Sequence, residues 1–94
     1  MSAQLIEGEF YFDPADPVFK VHFPLFPVVP GSLIIGEFLD VIPFTCVKIK
    51  QFKFIHFAIP GKSAYQISIT DNVARCQLIQ ENQIIAKGTI IHET

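Results

Sequence analysis

The chain has 94 residues, of which half are hydrophobic and ten are phenylalanine. Its nine acidic and seven basic residues give a net charge of −2 at pH 7, which excludes a nucleic-acid binder that depends on neutralising phosphates. One small domain over residues 1–94 cannot readily bury that much apolar surface, so we expect self-association. No secretion signal opens the chain and its apolar runs are too short for a membrane helix, so we expect a cytoplasmic protein without a membrane partner.

The chain is predicted to begin with a strand and a turn. Residues 5–12 alternate between two sets of side chains, as in a half-buried strand. The Asp-Pro-Ala-Asp-Pro sequence at residues 13–17 predicts a turn, because Asp bonds the nearby backbone and Pro fixes φ. Residues 18–23 are predicted to be a second, short extended segment, with His22 at its end.

Three prolines at a spacing of three come next, at Pro24, Pro27 and Pro30. Each proline fixes φ and lacks a backbone donor, so this segment can be neither a helix interior nor a central strand. We therefore expect a stiff, irregular crossing that delivers the chain to the following element.

An apolar run follows the prolines and is ended by Pro43, which predicts a helix over residues 31–42. Projected at about 100° per residue, Gly36, Glu37 and Asp40 fall in one wedge, while most of the remaining circumference is hydrophobic. A helix that is apolar nearly all round belongs inside a protein, so the polar wedge is expected to face a cavity or water.

Four further strands are predicted after the helix. The apolar positions of residues 46–54 change phase near Gln51, so we expect a bulge there. A Pro-Gly pair predicts a turn within residues 57–62, and residues 65–70 then alternate cleanly. An antiparallel sheet wrapped round one helix, an α+β fold, is the predicted architecture. The last two strands should be preceded by tight turns, at Asp71-Asn72 and Glu81-Asn82.

The cysteines and lysines carry less specific signals. Cys46 and Cys76 lie among apolar neighbours, so buried free thiols are expected rather than a disulfide. Lys48, Lys50 and Lys53 are typical of the solvated face of a strand, and the alternative is that they attract an acidic partner such as a carrier protein. No residue grouping has metal-ligand spacing and no Gly-rich phosphate loop occurs, so no metal or cofactor is expected.

The segment His22-Phe23-Pro24-x-x-Pro27-x-x-Pro30-Gly31, followed by an apolar helix, resembles the signature of the hot-dog-fold 3-hydroxyacyl-[acyl-carrier-protein] dehydratases of fatty-acid synthesis. Phe52-Lys53-Phe54, Ile59-Pro60-Gly61-Lys62 and the three-strand finish over residues 65–91 are similar to that family as well. The resemblance implies a hot-dog fold, whose sheet wraps a central helix and joins a second subunit edge to edge in a homodimer or higher oligomer. It also implies that the two catalytic residues come from different subunits.

The resemblance further implies the removal of water from a 3-hydroxyacyl thioester, carried by acyl carrier protein or coenzyme A, to give a trans-2-enoyl thioester. This elimination needs a base for the α-proton, an acid for the leaving hydroxyl and a donor to the thioester carbonyl. His22 matches the family's base, and neutral imidazole accepts a proton near neutral pH. Gly31 matches the position that polarises the carbonyl, which suits a backbone N–H at the start of a helix.

The chain departs from the family at the acid. Aligning the proline run without a gap places the family's Asp or Glu at Gly36, which has no side chain. Asp40 lies one turn further along the same helix face, and Glu37 lies about 100° round the helix but reaches further. We slightly favour Glu37 over Asp40. The third alternative is that no acid acts and that the pocket binds without catalysis.

The acyl chain is expected to lie between the helices of two subunits. A dehydratase is the leading interpretation, a non-catalytic acyl-binding subunit is the alternative that Gly36 favours, and a thioesterase fits less well because the proline run is that of dehydratases. His56 and His92 are expected to be structural or surface residues. The predicted contacts to substrate lie on the helix and the following strand: Gly31, Leu33, Gly36, Phe38 and Phe54.

Overall fold

The computed structural model describes residues 3–21, 27–45 and 47–93. His22 and Cys46 therefore lie outside the described residues, as does the first of the three prolines. No helix in the described part of the chain is both long and apolar enough to cross a membrane. The elements are, in chain order, β1 (Gln4–Phe12), α1 (Val18–Val21), α2 (Gly31–Val41), β2 (Val47–Phe54), β3 (Gly61–Thr70), β4 (Val73–Gln80) and β5 (Gln83–His92).

The five strands form one antiparallel sheet in the order β1-β3-β4-β5-β2. Two-residue turns join β3 to β4 and β4 to β5, at the predicted positions, and Asp71, Glu81 and Asn82 adopt the positive φ that such turns use. The strands that flank α2 in the sequence, β1 and β2, become the two edges of the sheet. This arrangement of one sheet and one long helix confirms the predicted α+β architecture.

The core lies between α2 and the inner face of the sheet. Phe38 of α2 is fully buried, and its ring meets Phe10 edge-on at 5.0 Å and Tyr65 at 6.0 Å between ring centroids. Phe52 lies 5.8 Å from the same ring on the side of β2. Edge-to-face contacts of this kind add to the apolar burial, so Phe38 is the centre of the core.

A bulge in β2 keeps its apolar residues on the inner face, as predicted. The register against β5 shifts between Ile49 and Gln51. Phe52 therefore faces the core, where it lies opposite Gly88, and a Cβ added at that glycine would overlap the Phe52 ring. The glycine leaves the space that an aromatic side chain on the edge strand fills.

The segment after β1 differs from the prediction. The predicted turn at residues 13–17 is present, with the Ala15 N–H donating to Asp13 Oδ1 at 2.9 Å. The predicted extended segment over residues 18–23 is wrong for Val18–Val21, which form one helical turn. Asp16 favours it, because its Oδ1 accepts the Val18 N–H at 3.0 Å, and Pro17 fixes φ directly before the helical turn.

Helix α2 is less enclosed than its composition predicts. It runs over Gly31–Val41, with Ile42 as its C-cap, and Ile34 and Phe38 are its fully buried side chains. Four of its apolar residues are only half-buried, and all but Ile35 pack against the core: Leu33, Ile35, Leu39 and Val41. The described residues therefore cover one side of this helix.

Cys76 is a buried free thiol, as predicted. Burial raises the pKa of the Cys76 thiol from 9.0 to about 12, so the sulfur stays protonated near neutral pH. The side chain acts as a small core hydrophobe.

Candidate functional site

The N-terminus of α2 is fixed by the segment that follows β2, residues 55–60. The Val29 N–H donates to the Ala58 carbonyl at 2.8 Å, immediately before the helix. On the other side, the N–H groups of Ile55 and His56 donate to the Ile85 carbonyl at 2.8 and 3.2 Å. Ile85 lies where the register between β4 and β5 shifts. A bulge in the sheet thus provides the acceptor that positions the helix start.

The side chain of Gln80 holds the same segment from β4. Its Nε2 donates to the Ile59 carbonyl at 2.9 Å and to Ser63 Oγ at 2.6 Å, and its Oε1 accepts the Ile59 N–H at 3.1 Å. Ser63 is buried, so this amide satisfies a polar group inside the core. Sequence reasoning missed Gln80, because its partner Ile59 is 21 residues away and no local motif marks the pair.

Helix α2 begins without a side-chain cap. Pro30 is its N-cap, with φ −61° and ψ 144°, and offers no hydrogen-bonding side chain. The first N–H groups that bond back to the Pro30 carbonyl are those of Leu33 and Ile34, at 3.0 and 3.3 Å. The amides of Gly31 and Ser32 precede them, at the positive end of the helix dipole. Such amides suit a carbonyl oxygen that gains negative charge.

Gly31 and Phe54, both predicted to contact substrate, lie together at this helix start. A Cβ added at Gly31 would lie 2.7 Å from the Phe54 ring, so only glycine fits beneath that ring in its present position. Phe54 nevertheless remains 47% exposed. It lines a shallow depression of about 310 Å³ together with three following residues: Ile55, His56 and Phe57. The helix start therefore opens beside an exposed apolar surface.

Gly36 and Asp40 occupy the side of α2 that faces away from the sheet. Gly36 is two residues from each of the buried Ile34 and Phe38, and at about 100° per residue this places it on the opposite side of the helix. A Cβ added at Gly36 would meet nothing within 4 Å. Asp40 is exposed on the same side, whereas Glu37 is half-buried at its border.

The predicted site residues thus divide into three groups. Gly31 and Phe54 meet at the helix start, and Leu33 is a half-buried residue two positions further along α2. Of the candidate acids, Asp40 is exposed on the side of α2 that faces away from the sheet, and Glu37 is half-buried at the border of that side. Phe38 is a core residue here, and its predicted contact with substrate stays a prediction, as do the roles of the other residues. His22 lies outside the described residues.

The other two histidines occupy different surroundings. His56 is exposed and lines the depression next to Phe54. His92, at the end of β5, stacks on Phe44 with ring centroids 5.0 Å apart. Among the described residues, no three His, Cys, Asp or Glu side chains converge to hold a metal ion.

A single antiparallel sheet around one long helix, with a short extended segment fixing the helix start, is the architecture of hot-dog proteins. The chain belongs to the FabA-like domain family, the family of hot-dog dehydratases, because the family model matches residues 2–94. The predicted resemblance to these dehydratases is thereby confirmed. Among curated proteins, no sequence matches the chain significantly.

Solved structures share the fold at low sequence identity. A chain of "The Dehydratase Heterocomplex ApeI:P" from Xenorhabdus doucetiae is 19% identical, with a TM-score of 0.78 over 97% of this chain and 93% of that one. Protein af1124 from Archaeoglobus fulgidus is 13% identical, with a TM-score of 0.63 over 99% of this chain and 79% of that one. At these identities the likeness shows the hot-dog fold alone.

Proposed function

We propose that this chain is a subunit of a dehydratase that eliminates water from a 3-hydroxyacyl thioester and gives the trans-2-enoyl thioester. The observation that carries this function is the match to the FabA-like domain family over residues 2–94. The uncapped start of α2 at Gly31, beside the half-exposed ring of Phe54, supports it as a place for a thioester carbonyl and an acyl chain. Either acyl carrier protein or coenzyme A would carry the thioester.

The elimination assigns one role to each candidate residue. The His22 imidazole takes the proton from C2, and the electron pair of that C–H bond forms the C2–C3 double bond as the C3–O bond breaks. Glu37, or alternatively Asp40, gives a proton to the departing hydroxyl, which leaves as water. The Gly31 N–H donates to the thioester oxygen while negative charge builds on it. Exchange of protons with solvent then restores both side chains.

A second hot-dog subunit completes the site in this proposal. The side of α2 that faces away from the sheet carries Asp40, with Glu37 at its border, and no described residue lies within 4 Å of a Cβ added at Gly36. A second subunit would enclose a substrate bound there. The half-buried apolar side chains of α2, such as Leu33 and Leu39, and the unpaired edge of β2 are surfaces that such a subunit would cover. We place the acyl chain between two helices and join the two sheets at β2. The similar structure from Xenorhabdus is itself described as a heterocomplex of dehydratases, which supports an assembly of hot-dog chains.

A non-catalytic acyl-binding subunit is the second candidate function, and Gly36 favours it. The family's acid aligns with this position, where the chain has no side chain and the surrounding space is open. Such a subunit would retain the helix start and the apolar surface while its partner supplies the acid.

Turnover of defined thioesters tests the first function. We expect the chain, alone or with its partner subunit, to convert 3-hydroxyacyl thioesters into products with the absorbance of a conjugated enoyl thioester. Replacing the base, as in His22→Ala, should lower kcat by about 100-fold or more. His92→Gln is the matched control, because His92 stacks on Phe44 and is assigned no role in the site. Full activity of His22→Ala would contradict the mechanism, and release of free thiol instead of water loss would indicate a thioesterase.

Gly36→Glu tests the second function. If the wild-type chain binds a saturated acyl thioester but shows no turnover, the introduced carboxyl should create turnover that depends on His22. The open space at Gly36 makes this substitution sterically acceptable. Binding without turnover in both forms would exclude the idea that only the acid is missing.

A further inference from the structure

The β2 edge of the sheet combines exposed apolar side chains with a row of lysines. β2 is an edge strand, so one side of its backbone has no strand partner in the described chain. On its inner face, Ile49 and Phe54 remain 42% and 47% exposed. On its outer face, Lys48 and Lys53 are exposed. The exposed apolar residues indicate a surface that another molecule covers, and the lysines restrict what that molecule is.

The positive charge extends from β2 into the sheet. Lys53 lies directly opposite Lys87 of β5 in the strand register, a like-charge pair that destabilises a sheet. Both lysines line a depression of about 310 Å³ with Arg75 of β4, and no carboxylate lines it. Two glutamates of the sheet, Glu7 and Glu9, are on β1 at the far edge. The positive charge beside β2 is therefore not balanced within the sheet.

Pairing of β2 with a second copy of itself would bring lysines together. In antiparallel pairing across a twofold axis, inner-face residues must lie opposite inner-face residues. One register keeps all four inner-face residues of β2 opposite one another: Val47 lies opposite Phe54 of the copy, and Ile49 opposite Phe52 of the copy.

That register places Lys48 directly opposite Lys53 of the copy, and the twofold axis repeats the pair. Lys50 lies between the two pairs, opposite Gln51 of the copy, and Lys87 flanks each pair in the next strand. Self-pairing would thus align like charges along the whole joint, which is unfavourable.

We propose that the β2 edge joins a different hot-dog chain, whose edge strand carries Asp or Glu at the positions that face Lys48 and Lys53, in preference to a second copy. This partner rests on the proposed function, which requires a second subunit at β2. A carboxylate opposite each lysine turns the repulsion into attraction, while the partner's backbone and apolar inner face cover β2. An acidic carrier protein would meet the lysines, but it would leave the strand edge and the residues Ile49 and Phe54 uncovered.

A charge-reversed copy of this chain serves as the probe for the acidic partner. In Lys48→Glu/Lys53→Glu, both substituted residues are exposed, so folding should be retained, and unfolding curves verify this. Dissociation constants are measured by sedimentation for wild type alone, the variant alone and their equimolar mixture. We expect the mixture to dimerise about tenfold more tightly than either chain alone. The advantage should shrink several-fold at about 1 M salt, where the Debye length is about 3 Å.

The control variant is Lys62→Glu, which reverses one exposed lysine on β3, and it is compared with the single variant Lys48→Glu on β2. The mixture of this control with wild type should show no comparable increase in dimerisation affinity. The inference is overturned if the control mixture dimerises as tightly as the Lys48→Glu mixture. It is also overturned if wild type alone assembles as tightly as the charge-swapped mixture, either into dimers or into longer chains that pair β2 with the acidic β1. It is also overturned if an acyl carrier protein binds the lysine edge and the charge-swapped mixture does not dimerise.

The proposed function fails separately. A tight wild-type homodimer that dehydrates 3-hydroxyacyl thioesters would refute the preference for an unlike partner and leave the dehydratase standing. A charge-swapped dimer without acyl binding or turnover would support the pairing rule and refute the function.

Discussion

The two sides of α2 differ in how much of their packing comes from the described residues of this chain. The side with Ile34 and Phe38 is buried against aromatic residues of the sheet, and a single chain suffices to fix it. On the opposite side, a Cβ added at Gly36 would meet no described residue within 4 Å, and Asp40 is exposed, although apolar half-buried residues border this side. The first side specifies the fold, whereas the second carries the predicted departure from the family at the acid and is the side that we propose a second subunit covers.

The largest expected effect concerns the buried side. Phe38→Ala should lower the free energy of unfolding by about 3–5 kcal/mol, because it leaves a cavity at the centre of the core. Leu39→Ala, on a half-buried residue of the same helix, should cost only about 1 kcal/mol in the dilute single chain. Urea titration checks both values, and Phe38→Leu provides a folded intermediate if the alanine variant does not fold. Equal losses at Phe38 and Leu39 would remove the distinction between the two sides.

Two glycines offer a second contrast. Gly88→Ala should cost about 1–3 kcal/mol, because the new methyl group overlaps the Phe52 ring. Gly36→Ala should instead raise the free energy of unfolding by about 0.5–1 kcal/mol, since the helix favours alanine and the space is open. The same urea titrations measure whether each substitution lowers or raises the free energy of unfolding. A loss of stability at Gly36 would mean that something in the chain already covers that side.

The pH dependence of the unfolding free energy tests, at Cys76, whether water is excluded from the buried side. The pKa of the Cys76 thiol is raised from 9.0 to about 12 by burial, so above pH 9 the unfolded chain ionises this thiol while the folded chain does not. The stabilising contribution is fully present below pH 9 and should fall by about 1.4 kcal/mol per pH unit above it. The measurement is the difference in unfolding free energy between wild type and Cys76→Val as pH rises. A difference that stays constant would show that the thiol ionises equally in both states.

The smallest expected effect concerns the edge of the sheet. Lys53→Glu should stabilise the single chain by about 0.2–1 kcal/mol at low salt, because it replaces the repulsion with Lys87 by attraction. Lys48→Glu is the control, since Lys48 lies opposite the uncharged Ile91. Thermal unfolding at two salt concentrations separates the variants. Identical shifts for both substitutions would indicate an effect of net charge rather than of the Lys53–Lys87 pair.

Local signals in the sequence predicted the parts of the fold that depend on near neighbours. The bulge at Gln51 was predicted from a shift in the alternation of apolar and polar residues, and the two hairpins were predicted from their turn residues. Both features are encoded within a few positions of the sequence. The helical turn after Asp16 was missed because four residues of alternating size resemble a strand, although an Asp-Pro pair is also a helix start signal.

The site was predictable only in part. Gly31 and Phe54 were both expected at the site, and the structure brings them together, but the contacts that hold them there involve Gln80 and Ile85 from distant strands. Hydrophobic periodicity also cannot tell which apolar residue of α2 faces its own core and which faces a partner. Phe38 is the example: the structure shows it buried against Phe10, and its contact with substrate stays a prediction.

The most direct test of the account is to fill the open side of α2. Gly36→Leu adds an apolar side chain where the single chain has empty space, and Ser68→Leu is the control on the outer face of the sheet. We predict that Gly36→Leu retains the unfolding free energy of wild type within about 1 kcal/mol and loses acyl-thioester binding or turnover by about tenfold or more, whereas Ser68→Leu retains both. Unchanged binding and turnover in Gly36→Leu would contradict the claim that this side of the helix meets substrate and a second subunit.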